Sequence, residues 1–194
     1  LLARVDAEVV HWLGTSMGGL IGMALAAQQD TPITRLVLND VGPVVTAASI
    51  ARIGAYVGKA PRFASVEQAE SFLRFVSAPF GALTDDQWRH LTVHVLRQGA
   101  GGDFELAYDP GIAEPFRRAM GEGKDIELWP LYEAIRCPTL LVRGAESDLL
   151  TAETATQMAG RGPKARVVEI PGVGHAPMLM HPDQIRIVRD FLLG

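Results

Sequence analysis

Four side chains in this sequence could together move a proton and attack a carbonyl. Ser16 lies in Gly14-Thr15-Ser16-Met17-Gly18-Gly19, a Gly-x-Ser-x-Gly pattern. A serine hydroxyl is a weak nucleophile until a neighbouring base takes its proton, and that base works best when a third group holds its tautomer. His175, in the glycine-flanked run Pro171-Gly172-Val173-Gly174-His175, is the candidate base. Asp148, in Gly144-Ala145-Glu146-Ser147-Asp148, is the expected orienting acid, and Asp40 is the second choice. The order along the chain is Ser, then Asp, then His.

These residues need elements that bring them together. Ala7 to Leu13 is a short apolar, β-branched run that predicts a buried strand, and Leu20 to Gln28 predicts a helix rich in Leu, Ala and Met. Thr31-Pro32 breaks that helix, and Arg35 to Asp40 predicts a second strand. Strand, tight turn, helix and strand make a βαβ unit, hence a parallel sheet. Gly-x-Ser-x-Gly between a strand and a helix is the nucleophile-elbow pattern. The turn is sharp enough to strain Ser16, and side chains at Gly14 and Gly18 are expected to collide with the neighbouring strand or helix. The Met17 amide then falls at a helix N-terminus, where it could stabilise an oxyanion.

Strand signals resume at Cys137 to Gly144 and Ala165 to Ile170, with helices predicted from Thr151 to about Ala159 and from Gln184 to Leu193. Ser16, Asp148 and His175 thus all follow strand C-terminal ends, where open α/β sheets build their sites. Between Gly42 and Ile126 the pattern changes. Amphipathic helices are expected over Val66 to Val76, Asp85 to Gln98 and Ile112 to Met120, separated by Gly99-Ala100-Gly101-Gly102 and Asp109-Pro110-Gly111. Of the 13 aromatic residues, 11 lie from Tyr56 to Tyr132, which marks this stretch as a helical insertion with its own aromatic lining.

Composition removes several function classes. With 194 residues, 48% apolar, and 18 Lys+Arg against 22 Asp+Glu, the chain reads as an ordinary globular protein. No apolar run approaches the ~20 residues of a membrane span. Mild acidity without a Lys/Arg cluster argues against a nucleic-acid surface. A single cysteine, Cys137, excludes an internal disulfide framework and fits a reducing, cytoplasmic setting. Asp86, His90 and His94 fall at i, i+4 and i+8, but Leu91 follows His90, so the H-E-x-x-H pattern is unmet and a solvated helix face is favoured over a metal site. A dinucleotide fingerprint also fails, since Ser16 stands where a pyrophosphate needs glycine.

Over essentially its whole length the sequence resembles the α/β-hydrolase superfamily. The residues carrying the resemblance are Gly14 to Gly19, Leu38-Asn39-Asp40-Val41-Gly42-Pro43, Val142-Arg143-Gly144 with Asp148, and Pro171-Gly172-Val173-Gly174-His175-Ala176-Pro177. The resemblance implies Ser16 as nucleophile, Asp148 as acid and His175 as base. It implies an α/β fold with a mostly parallel sheet, four of its later strands lying in this chain. It divides the chain into hydrolase core (1–43), helical cap (44–128) and hydrolase core (129–194). The implied activity is a carboxylesterase-like serine hydrolase on a small acyl substrate, without cofactor or metal. Lactonases, carbon–carbon bond hydrolases and acyltransferases use the same triad, and a non-catalytic binding protein on this fold is the alternative from another class. The family's early strands and the loop giving its second oxyanion donor look absent. The strand Ala7 to Leu13 would then be an edge, expected to pair with a segment preceding it or with another chain.

Overall fold

In the computed structural model, which describes residues 2–114, 117–118 and 123–194, four apolar runs pair as a parallel sheet. The strands are Val10–Thr15, Ile33–Asn39, Thr139–Gly144 and Arg166–Ile170, in that spatial order. Thr139–Gly144 is buried at every position, as a central strand covered on both faces must be. Registers align the strand ends, with Thr15 opposite Asn39, Asn39 opposite Val142 and Gly144 opposite Ile170. The C-terminal end of the sheet therefore carries one loop per strand, side by side.

Helices cover both faces. Met17–Ala26, Trp129–Ala134 and Ala152–Gly160 pack on one, where Met23, Leu36, Leu38, Tyr132, Leu141 and Met158 form the larger core cluster. Pro182–Leu193 covers the other, packing Val188 with Val37, Leu140, Val142, Ile170 and Val173. The Tyr132 hydroxyl donates to Met158 O at 2.6 Å, and burial pushes its pKa up to about 12. Thr151 caps its helix as expected, accepting from Thr154 N at 3.1 Å.

The chain divides into two compact units, one of Leu1–Val45 with Ile126–Gly194 and one of Thr46–Asp125. The second contains helices Ala47–Gly54, Val66–Val76 and Asp85–Val95, started by Thr46, Ser65 and Thr84, the last as a full capping box with Gln87. The expected helix Asp85 to Gln98 stops at Val95. Leu96–Gln98 instead turns back through the glycine run and pairs antiparallel with Phe104–Leu106, which also pairs with Arg62–Phe63. Gly99 N donates to Asp103 O at 2.8 Å, closing the turn, so these glycines make a hairpin and not a helix–helix loop. Of the expected helix Ile112 to Met120, residues 115, 116, 119 and 120 lie outside the described residues, and Pro110–Ile112 is a 3₁₀ turn. This unit holds an apolar cavity of about 370 Å³ lined by Tyr56, Val57, Phe72, Leu73, Val76 and Leu106.

Val10–Thr15 is an edge strand, pairing among the described residues only with Ile33–Asn39. Val10 and Trp12 point into the core, whereas Val9 and Leu13 are 61% and 40% exposed. The predicted strand Ala7 to Leu13 is thus shifted towards Ser16, and only one of its faces is buried.

Candidate active site

The elbow begins where Val10–Thr15 ends. Ser16 has φ 52° and ψ −119°, a backbone conformation non-glycine residues rarely adopt, costing about 1–3 kcal/mol. Met17–Ala26 starts at the next residue, and Ser16 O accepts from Gly19 N at 2.9 Å and Leu20 N at 3.1 Å. Met17 N–H is therefore among the amides that a helix start leaves without intrahelical partners, beside the serine hydroxyl. A Cβ on Gly14 would lie 2.2 Å from Gly18 O and 2.3 Å from Gly18 C, a collision with backbone. Gly18 differs from expectation, because a Cβ there meets nothing within 4 Å. The second tight glycine is Gly19, whose Cβ would sit 2.4 Å from Val41 Cγ1. Trp12 locks the turn from below, its indole N–H donating to Gly18 O at 3.0 Å.

His175 follows the last strand, and its Nε2 lies 3.0 Å from Ser16 Oγ. Its Nδ1 lies 2.7 Å from Asp40 Oδ2. An ionised carboxylate only accepts, so Nδ1 carries the proton, and Nε2 is left as the acceptor for the serine O–H. Asp40, not Asp148, thus holds the imidazole, which corrects the sequence expectation. Asp40 is the first residue past its strand, has φ 56°, and its side chain is wholly buried; the His175 side chain is 11% exposed. Asp148 is four residues past Gly144, beyond a turn closed by Ser147 N donating to Gly144 O at 3.0 Å, and is exposed.

A buried carboxylate needs donors to stay ionised. Asp40 Oδ1 accepts from Gly144 N at 2.8 Å, and Oδ2 accepts from Ser147 Oγ at 2.6 Å besides His175. Asn39, also buried, donates from Nδ2 to Thr15 Oγ1 at 2.9 Å and to Pro177 O at 2.8 Å, tying Val10–Thr15 to the loop that carries His175. Gly144 lets that loop pass, since a Cβ there would meet Gly174 O at 2.2 Å. Arg143 anchors the far end of the loop after Gly144 by donating from Nε to Leu150 O at 2.8 Å, and its guanidinium also pairs with Glu169. The sequence reading assigned no role to Asn39 or Ser147. Their only signal is adjacency to the two candidate acids.

The remaining candidates do other things. His94 Nδ1 is 2.7 Å from His90 O and the two rings are 4.2 Å apart, a contact along one helix face. Among the described residues no three His, Cys, Asp or Glu side chains are grouped to hold a metal ion. Cys137 is half-buried, and burial pushes its thiol pKa up, away from thiolate chemistry. No helix among the described residues is long and apolar enough to cross a membrane.

The chain is 46% identical over 200 residues to a 3-hydroxybutyrate-oligomer hydrolase of Cupriavidus necator, the match covering 100% of this chain and 68% of that protein. It is 29% identical over 198 residues to a pimeloyl-[acyl-carrier protein] methyl ester esterase of Aromatoleum aromaticum, covering 97% of this chain and 75% of that one. Among solved structures, an alpha/beta hydrolase from Novosphingobium aromaticivorans matches with a TM-score of 0.86 and 37% identity, over 98% of this chain and 67% of that one. The chain therefore spans about two thirds to three quarters of the length of these relatives. The model of the alpha/beta hydrolase family matches residues 1–186. With its elbow, its parallel sheet and these relatives, the chain belongs to the alpha/beta hydrolase family.

Proposed function

We propose that this chain carries the catalytic machinery of a serine hydrolase acting on carboxylic esters, with Ser16 as nucleophile, His175 as general base and Asp40 as the orienting acid. The observation that carries it is the continuous hydrogen-bonded path from Ser16 Oγ through His175 to Asp40, at 3.0 and 2.7 Å. As Ser16 Oγ attacks the ester carbonyl carbon, its proton passes to His175 Nε2. Asp40 stabilises the imidazolium by the Nδ1–H bond without taking the proton. The negative oxygen of the tetrahedral intermediate meets the Met17 N–H at the helix start. His175 then gives its proton to the departing alkoxide, leaving an alcohol and an acyl-Ser16. Water repeats the sequence, its proton going to His175 and then to Ser16, and the acid is released.

One of the relatives is by name a 3-hydroxybutyrate-oligomer hydrolase and another a methyl ester esterase. The 46% identical relative makes short oligoesters of 3-hydroxybutyrate the first substrate class to try. The unit Thr46–Asp125 is read as the family's inserted cap. An intact Ser–His–Asp path favours turnover over a non-catalytic binding role. The test pairs a fluorophosphonate probe with a hydroxybutyrate-trimer assay. Ser16 is expected to be labelled, and Ser16→Ala to lose both labelling and about 10³-fold or more of kcat. An unlabelled wild-type protein, or a Ser16→Ala variant with full turnover, would overturn the reading.

A further inference from the structure

We infer that Ser147 is a positioning residue of the site, acting through Asp40; this rests on the Ser16–His175–Asp40 reading above. The direction of its hydroxyl is set by its surroundings. Ser147 is buried, and its Oγ accepts from Leu149 N at 3.3 Å and Leu150 N at 3.1 Å. Those two amides occupy the lone pairs, so the O–H has to donate, and its acceptor is Asp40 Oδ2 at 2.6 Å.

Asp40 thereby receives three donors in a space closed to water: Gly144 N on Oδ1, and Ser147 Oγ with His175 Nδ1 on Oδ2. The backbone N–H fixes one oxygen. The serine fixes the other, and with it the angle at which Oδ2 faces the imidazole. Without that hydroxyl the carboxylate keeps one backbone donor and can turn about its Cβ–Cγ bond. Nδ1–H then loses a fixed target, and Nε2 drifts from the Ser16 hydroxyl. The effect belongs to the chemical step, where imidazolium forms, and not to ground-state binding. The second segment of the site thus contributes a hydroxyl from the residue just before Asp148, and not the Asp148 carboxylate.

The experiment is steady-state kinetics on a soluble ester with active-site titration, in a double-mutant cycle of Ser147→Ala and Asp40→Asn. Ser147→Ala alone is expected to lower kcat about 10- to 100-fold with KM within about threefold, the cost of removing one charge-assisted hydrogen bond from a transition-state partner. In the Asp40→Asn background the same change is expected to cost less than about threefold, because residues acting as a unit are not additive. Equal losses in both backgrounds, or an unchanged kcat in Ser147→Ala, would overturn the inference. Should Ser147→Ala fail to fold by circular dichroism, Ser147→Cys keeps a weaker donor of similar shape and is expected to lose about 10-fold in kcat; full activity in that variant also overturns it. A fully active Asp40→Asn would sink the underlying triad reading, whereas an inactive Asp40→Asn beside a fully active Ser147→Ala would sink only this inference.

Discussion

Replacing Asp40 by Asn changes one atom and so isolates the question of which acid serves His175. The carboxylate accepts on both oxygens, from Gly144 N–H on one side and from Ser147 and His175 on the other. An asparagine must turn its NH₂ towards one of those sides. Facing His175, it confronts the Nδ1–H with a second donor and favours the tautomer with the proton on Nε2, which no longer accepts from Ser16. Facing Gly144, it meets a backbone donor and leaves that N–H unpaired in the interior. The first outcome removes the base; by analogy with the same change in other triads it costs about 10³–10⁴ in kcat, which at 1.36 kcal/mol per decade is about 4–5.5 kcal/mol. The cost to the fold is smaller, about 1–3 kcal/mol for one unpaired buried group. Asp148→Asn alters an exposed side chain and is expected to change kcat/KM by about twofold at most. The assay is hydrolysis of a short-chain p-nitrophenyl ester by both variants, with thermal melting to confirm folding. A larger loss in Asp148→Asn than in Asp40→Asn, or an Asp40→Asn within tenfold of wild type, would refute the assignment.

Three further outcomes follow from the same contacts. Gly14→Ala drives a Cβ to within 2.3 Å of Gly18 backbone, so melting should fall by about 10 °C or more, whereas Gly18→Ala meets nothing and should hold or raise it; equal melting temperatures would refute the elbow packing. Tyr132 titrates near 10 when unfolded but is pushed up to about 12 in the fold, so the folded state holds its proton longer. That contribution is full below pH ~10 and is lost as pH rises towards 12, by about 2–3 kcal/mol; urea titrations of Tyr132→Phe should show a correspondingly flatter alkaline decline, and parallel curves would exclude the effect. The exposed edge Val9 to Leu13 should drive self-association of the 194-residue chain, read by light scattering as species above 20.9 kDa and reduced in Leu13→Lys; an entirely monomeric wild type would count against pairing along that edge.

Much of this architecture can be read from local pattern. β-branched runs bounded by Gly and Pro mark all four strands to within three residues at every end, and Thr151 marks its helix start, because each signal acts within one turn of chain. What local pattern misses depends on partners distant in sequence. Leu96–Gln98 continues a helical periodicity, yet becomes a strand because the glycine run lets Phe104–Leu106 fold back onto it. Gly18 reads as sterically required, but the collision that matters is at Gly14, whose neighbour is the backbone of Gly18 itself.

The choice of acid is the sharpest case. Counted along the chain, Asp148 follows a strand just as Asp40 does, and it lies much nearer to His175. The sheet counts differently. Ser16 stands on the edge strand, Asp40 on the next, and His175 comes from the fourth, so its loop has to cross the end of Thr139–Gly144 to reach the serine. Gly144 makes room for the crossing, with Gly174 O packed where a Cβ would be. Once across, the imidazole bridges the first two strand ends, and the carboxylate within reach of Nδ1 is the one on the second strand. The third strand's loop then has one task left at the site, which is to donate hydrogen bonds to that carboxylate, and Gly144 N and Ser147 Oγ do so.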